Sequence, residues 1–295
     1  MNAPATMVQV HPFHHADTGT WSYVVAEPGT RQAAIIDPVL DFDAKSGRVG
    51  HASAQKLLDC VRQHDLQVRW LLETHAHADH LTAAQWLATQ LPDAMVAIGQ
   101  GIREVQRTFA PVFDYNLESA ADNFDCLFSD DDEFSLGPIP ARVIPVPGHT
   151  RDSVAYLIGD ALFTGDSLFM PDAGTARCDF PGGDAAMLYR SIRRLYELPD
   201  STRVFICHDY GKRTEDGSDR PAACETTIGE QKRANIHVRA GIGEAEFVGM
   251  REARDATLAV PALIIPSLQV NLRAGALPSA SANGIRYLRV PLDQF

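Results

Sequence analysis

The chain has 295 residues, of which 45% are hydrophobic and 22% charged, the make-up of an ordinary globular protein with ample core. No run approaches the roughly 18 consecutive apolar residues that a membrane helix needs, and residues 1–6 lack the basic and apolar regions of a signal peptide. A formal net charge of −12 argues against nucleic acid as a main partner, and five cysteines at unpaired spacings argue against a disulfide framework, so a cytoplasmic protein is expected.

The first forty residues alternate in strand fashion, at Trp21–Val25 and again at Ala33–Pro38. Helical spacing follows over Ser53–His64, with Leu57, Leu58 and Val61 on one face. A strand over Val68–Leu72 leads into a histidine cluster, then a helix over about Thr82–Thr89 and a short strand at Met95–Ile98. Arg103–Phe109 and Asp184–Tyr196 read as further helices. After His208 the pattern changes: Glu225–Asn235 and Glu244–Ala256 read as helices, and Ile285–Val290 as a final strand. The expectation is one α/β core over about residues 10–212, with a helical C-terminal extension over about 213–295 packed on it.

The densest chemistry lies at Thr74-His75-Ala76-His77-Ala78-Asp79-His80. In extended chain, residues two apart point the same way, so His75 and His77 can address one point. Imidazole is the commonest protein ligand for transition metals, and a carboxylate can complete such a site. Three more strand-like runs end alike: Ala141–Val146 before His149, Ala161–Phe163 before Asp166, and Val204–Ile206 before His208. Four strand ends carrying metal-type residues are hard to explain by packing alone, because loops held by a rigid sheet are where function concentrates. His11, His14 and His15 have no such downstream support and read as local structure.

This set (His75, His77, Asp79, His80, His149, Asp166 and His208, with Asp37 after the second strand) resembles the signature of the metallo-β-lactamase superfamily. The resemblance spans roughly residues 20–210 and implies an αββα sandwich with metal at one edge, between two sheets. Within the superfamily, Ala173–Gly183, Cys207–Tyr210 and Thr226–Arg239 are similar to the persulfide dioxygenases. That likeness implies one iron(II) per chain held by His75, His149 and Asp166, with His77, Asp79, His80 and His208 around it but not ligating, and Asp37 structural. It also implies that glutathione persulfide, dioxygen and water give glutathione and sulfite, in a homodimer; the absence of membrane and nucleic-acid partners is expected from apolar content and charge.

Two histidines and one carboxylate on one face of an iron leave positions for substrate and dioxygen, which suits this chemistry. Glutathione carries two carboxylates, for which arginine's planar fork is well shaped. Arg177, in the loop after Asp166, and Tyr210, after His208, are the expected catalytic and substrate-binding residues, with Arg239 as a second carboxylate partner. Cys178 beside Arg177 reads as a buried, inert thiol. Two other readings use the same residues: a binuclear zinc thioester hydrolase of the glyoxalase II type, and a non-catalytic persulfide sensor.

Overall fold

A computed structural model describes residues 7–114, 123–211 and 219–294. Elements are numbered along the chain. One six-stranded sheet runs in the order β1 (Gln9–His15), β2 (Thr20–Ala26), β3 (Gln32–Ile36), β6 (Gln67–Leu72), β8 (Met95–Gly99) and β9 (Cys126–Phe128). Its first three strands pair antiparallel, and β3, β6, β8 and β9 pair parallel. A second six-stranded sheet runs β10 (Glu133–Leu136), β11 (Ile139–Pro145), β12 (Val154–Ile158), β13 (Ala161–Phe163), β14 (Arg203–Phe205) and β15 (Glu225–Thr227), with only β13 and β14 parallel. A short three-stranded strip joins β4 (Val39–Asp43), β5 (Arg48–Gly50) and β7 (Leu81–Thr82).

Both sheets are apolar on both faces, which is why strands such as β3 read as continuous hydrophobic runs. Ala34 and Ile36 of β3 meet Val143, Tyr156 and Phe163 between the sheets, whereas Ala33 and Ile35 face outward. The outward face of the first sheet is covered by α1 (Ala52–Gln63), α2 (Ala84–Gln90), α3 (Ile102–Phe113) and α7 (Ile264–Asn271). The outward face of the second is covered by α4 (Ala185–Leu195) and α6 (Glu244–Asp255), through Leu188, Ile192, Leu195 and Phe247. The molecule is thus the expected αββα sandwich, and the C-terminal helices cover both of its outer faces.

Two expected elements differ. Glu225–Asn235 is not one helix: Glu225–Thr227 pairs antiparallel with β14, and only Ile228–Ala234 is helical (α5). The break falls at Thr227, whose hydroxyl accepts the Glu230 N–H at 3.1 Å as an N-cap. The second sheet therefore takes its last strand from beyond residue 212. Ile285–Val290 forms no strand, and Ile285, Tyr287 and Val290 are exposed.

Candidate metal centre

All four anticipated strand ends converge on one edge of the sandwich. Because β3 and β6 are parallel, as are β13 and β14, Asp37, His75, Asp166 and His208 all emerge at carboxyl ends of strands. The sheets are stitched together beside the site by the Trp21 N–H, which donates to the Cys207 carbonyl at 2.7 Å. Gly165, between β13 and Asp166, has φ +51°, and a Cβ there would lie 2.7 Å from Thr74 Oγ1. Only glycine lets the Asp166 turn close on the His75 loop in this way.

His75, His149 and Asp166 are buried and form one potential ligand group. Asp166 Oδ2 lies 3.9 Å from His75 Nε2 and 3.6 Å from His149 Nε2. Hydrogen bonds set which nitrogen faces the centre. Thr74 donates its hydroxyl proton to Asp37 Oδ2 at 2.9 Å, so its oxygen accepts from His75 Nδ1 at 3.0 Å. His149 Nδ1 donates to the Arg177 carbonyl at 2.6 Å. Each ring therefore turns an Nε2 lone pair inward, the arrangement in which an outer partner fixes tautomer and orientation of a ligating imidazole. His75 Nε2 is buried and has no hydrogen-bond partner. Burial, reinforced by His77 and His149, holds His75 well below the usual imidazole range, so it is neutral and able to ligate. An orphaned nitrogen, a second lone pair and a carboxylate oxygen at one point fit a metal ion.

The other oxygen of Asp166 is committed. His208 Nδ1 sits 2.5 Å from Asp166 Oδ1, and its Nε2 sits 2.7 Å from Asp79 Oδ2. The imidazole fills the space between the two carboxylates. Burial opposes its charge, but Asp166 and Asp79 outweigh burial and raise its pKa well above the ordinary value. Burial likewise opposes ionisation of Asp166, yet His208 and His149 hold that carboxyl below its ordinary range.

His77 Nε2 contacts Asp37 Oδ1 at 3.0 Å, which makes Asp37 a support for both His75 and His77. His77 also groups with Asp79 and His80, and His77 Nδ1 and His80 Nε2 are buried without partners. Burial, with His77, brings His80 down to about 4. The loop is gripped from the C-terminal extension: Asn271 Nδ2 donates to the carbonyls of His77 and His80, both at 2.7 Å, and Asn271 Oδ1 accepts the Thr82 N–H at 2.9 Å.

A cavity of about 630 Å³ opens beside the centre. Asp79, His149, Asp166 and His208 form its floor, and Phe169, Phe180, Ile236 and Leu258 give it apolar walls. Tyr210 lines it and is 72% exposed, its ring lying over Gly19. Arg177 also lines it, but its guanidinium is engaged: two bonds of 2.6 Å reach the Asp179 carboxylate, and a third of 2.6 Å reaches the Ala259 carbonyl. Arg251 pairs with Asp255 and Asp172 with Arg220. Arg254 is the one charged lining side chain, among the described residues, with neither an ion pair nor a hydrogen bond. Arg239 is exposed and does not line the cavity, although Ile236, three residues earlier, does.

Cys178 is buried beside the cavity, and burial together with Asp255 raises its thiol to about 12. His14 stacks on Trp21 and His15 bonds Thr18 at 2.8 Å, but His14 Nε2 also reaches the Asp209 carbonyl at 3.2 Å and His15 Nε2 lies 3.5 Å from Asp41, so the expectation of purely local structure does not hold.

With this geometry in place, the comparisons are decisive at one level. Residues 16–208 match the model of the metallo-beta-lactamase superfamily. The chain belongs to that superfamily. A "Probable metallo-hydrolase" of Burkholderia pseudomallei is 46% identical over 96% of this chain and 99% of its own. The crystal structure of ETHE1 from Myxococcus xanthus superposes with a TM-score of 0.71 at 31% identity, over 91% of this chain and all of that one. The bovine mitochondrial persulfide dioxygenase ETHE1 is 28% identical over 65% of this chain and 64% of its own. The chain spans 65%, 65% and 63% of three relatives named beta-lactamase hydrolase-like protein.

As in that superfamily at large, the centre is one that binds metal. No described helix is long and apolar enough to cross a membrane. Sequence reasoning missed Asn271, Arg254 and the apolar wall of Phe169, Phe180, Ile236 and Leu258. Phe180 and Ile236 lie in stretches that carry the resemblance but have no role assigned there, and the others belong to no motif.

Proposed function

We propose that this superfamily member is a mononuclear iron(II) dioxygenase that converts glutathione persulfide, dioxygen and water into glutathione, sulfite and two protons. His75 and His149, through Nε2, and Asp166, through Oδ2, would hold the iron. The observation that carries this reading is the His208 imidazole wedged between Asp166 and Asp79, with both nitrogens engaged where a second ion would need the same groups. Bound by the other three, iron supplies the redox chemistry that joins dioxygen to a persulfide sulfur.

The chain's own residues do the rest. Asp37, Thr74 and the Arg177 carbonyl fix the ligand rings. The apolar wall excludes water from one side, and Tyr210 is placed to bond the peptide groups of an extended thiol. Arg254, whose side chain has no ion pair or hydrogen bond among the described residues, is the anchor for a substrate carboxylate. Arg177, locked to Asp179 and Ala259, acts chiefly by positioning the His149 loop. The supporting likeness is to proteins named ETHE1. Oxygen uptake that depends on glutathione persulfide, with sulfite as product, tests the reading; no uptake by iron-loaded protein contradicts it.

A second reading keeps one specific support. His77 Nδ1 and His80 Nε2 are unpartnered beside Asp79, as ligands of a binuclear zinc hydrolase would be, and a more similar relative carries a hydrolase name. In that chemistry metal polarisation lowers the pKa of an attacking water.

A further inference from the structure

His11 has a different fate from its neighbours His14 and His15. It lies on β1, the edge strand of the first sheet, and faces the last turn of α1. There it meets Cys60 and His64, four residues apart and so on one face of the helix end. One ligand atom from each of the three lies within 4.8 Å of the other two. The rings of His11 and His64 are 4.6 Å apart between centroids. His11 is half-buried, and its Nε2 is shut away from water without a hydrogen-bond partner, although a buried polar atom ordinarily has one. Cys60 is 8% exposed, while His64 is open to solvent. A surface cavity lined by all three, with Lys56, Asp59 and Gln63, shares no residue with the cavity at the central metal site. Asp59 is already occupied, by Gln55 at 2.8 Å and Arg62 at 3.6 Å.

We propose that His11, Cys60 and His64 form a second metal site, separate from the central one, that takes a single borderline-soft divalent cation of the zinc type. One thiolate and two imidazoles are the donor set such ions select, and three protein donors leave one tetrahedral position for water on the exposed His64 side. Binding exchanges the Cys60 thiol proton for a metal–sulfur bond and releases that proton to solvent, with no change of oxidation state. The ion ties the edge strand β1 to α1. Its role is structural, because the site shares no residue with the cavity at the central metal site and joins two elements of the fold.

Cobalt(II) is the probe, added to protein that retains its central metal. One further cobalt per chain is expected, with the near-ultraviolet charge-transfer band that a thiolate ligand gives. Cys60→Ser should abolish the band. His64→Ala, at an exposed position that the fold tolerates, should weaken cobalt affinity by about tenfold or more. Both variants should keep their central metal, and cobalt should slow alkylation of Cys60 in the parent. No additional cobalt in the parent overturns the proposal. So does a band that survives Cys60→Ser, which would place the contact at another thiol such as Cys207, or cobalt affinity indifferent to His64→Ala.

Discussion

His149 Nδ1 donates to the main-chain carbonyl of Arg177 at 2.6 Å, so the orientation of a metal ligand depends on a loop 28 residues away. That loop is itself held by the Arg177 side chain on Asp179 and by the buried Arg251–Asp255 pair, whose Asp255 accepts the Cys178 N–H at 2.8 Å. Asp179→Ala should therefore reproduce much of the damage of Arg177→Ala, lowering metal content and kcat together. Arg177→Lys should rescue poorly, since an ammonium cannot make the two-pronged contact. Normal metal content in Arg177→Ala with a raised KM alone would place the guanidinium on substrate instead.

The ligand assignment separates His208 from the three proposed ligands. Ala at His75, His149 or Asp166 should remove the central metal. His208→Gln should retain it with affinity lower by about 10–100-fold, the usual effect of losing an outer partner. Metal analysis after dialysis distinguishes the two outcomes.

Arg254 is the cation lining the cavity whose side chain, among the described residues, has no ion pair or hydrogen bond. A charged hydrogen bond contributes about 1.5–3 kcal/mol, so Arg254→Ala should raise KM for a carboxylate-bearing substrate by about 10–100-fold and leave kcat nearly unchanged. Arg239→Ala, at an exposed position off the cavity, should change neither. Steady-state oxygen uptake on both variants checks this.

Cys178 is held neutral, with its thiol raised to about 12 by burial and Asp255, and so is a poor nucleophile at physiological pH. Cys178→Ser should keep most of its turnover. Background activity in a folded, metal-loaded variant would show a sulfur relay.

Stability should fall on mild acidification through His237. Burial, then Arg251 and Arg254, lower its pKa to about 4, and its Nδ1 accepts the Thr175 N–H at 3.0 Å, which requires the neutral ring. Between about 4 and the ordinary value of 6.5 the unfolded chain binds the extra proton, so stability rises with pH across that window. The contribution is complete above 6.5 and lost as pH falls toward 4. Denaturant midpoints against pH should show this slope in the parent and a flatter one in His237→Gln.

The sandwich and the floor of the site were legible because their signals are local. Apolar runs mark buried strands, and His75, His149, Asp166 and His208 stand just past their ends. The walls were not legible, because Arg254, Leu258 and Asn271 are brought to the site by how the C-terminal extension packs over the sheet edge, which no local pattern records. Arg239 lies in a stretch that the resemblance singles out, yet the structure leaves it exposed and off the cavity that Ile236 lines. Glu225–Thr227 reads as the start of one helix over Glu225–Asn235, but its two β-branched threonines pair with the edge of β14 instead.

One paired measurement bears most directly on the central claim: metal content of protein purified without added metal, with oxygen uptake on glutathione persulfide from the same preparation. The account predicts about one iron per chain and persulfide-dependent uptake, following from three ligands around one open face. Two zinc ions per chain, with hydrolysis of S-lactoylglutathione and no oxygen uptake, would contradict it.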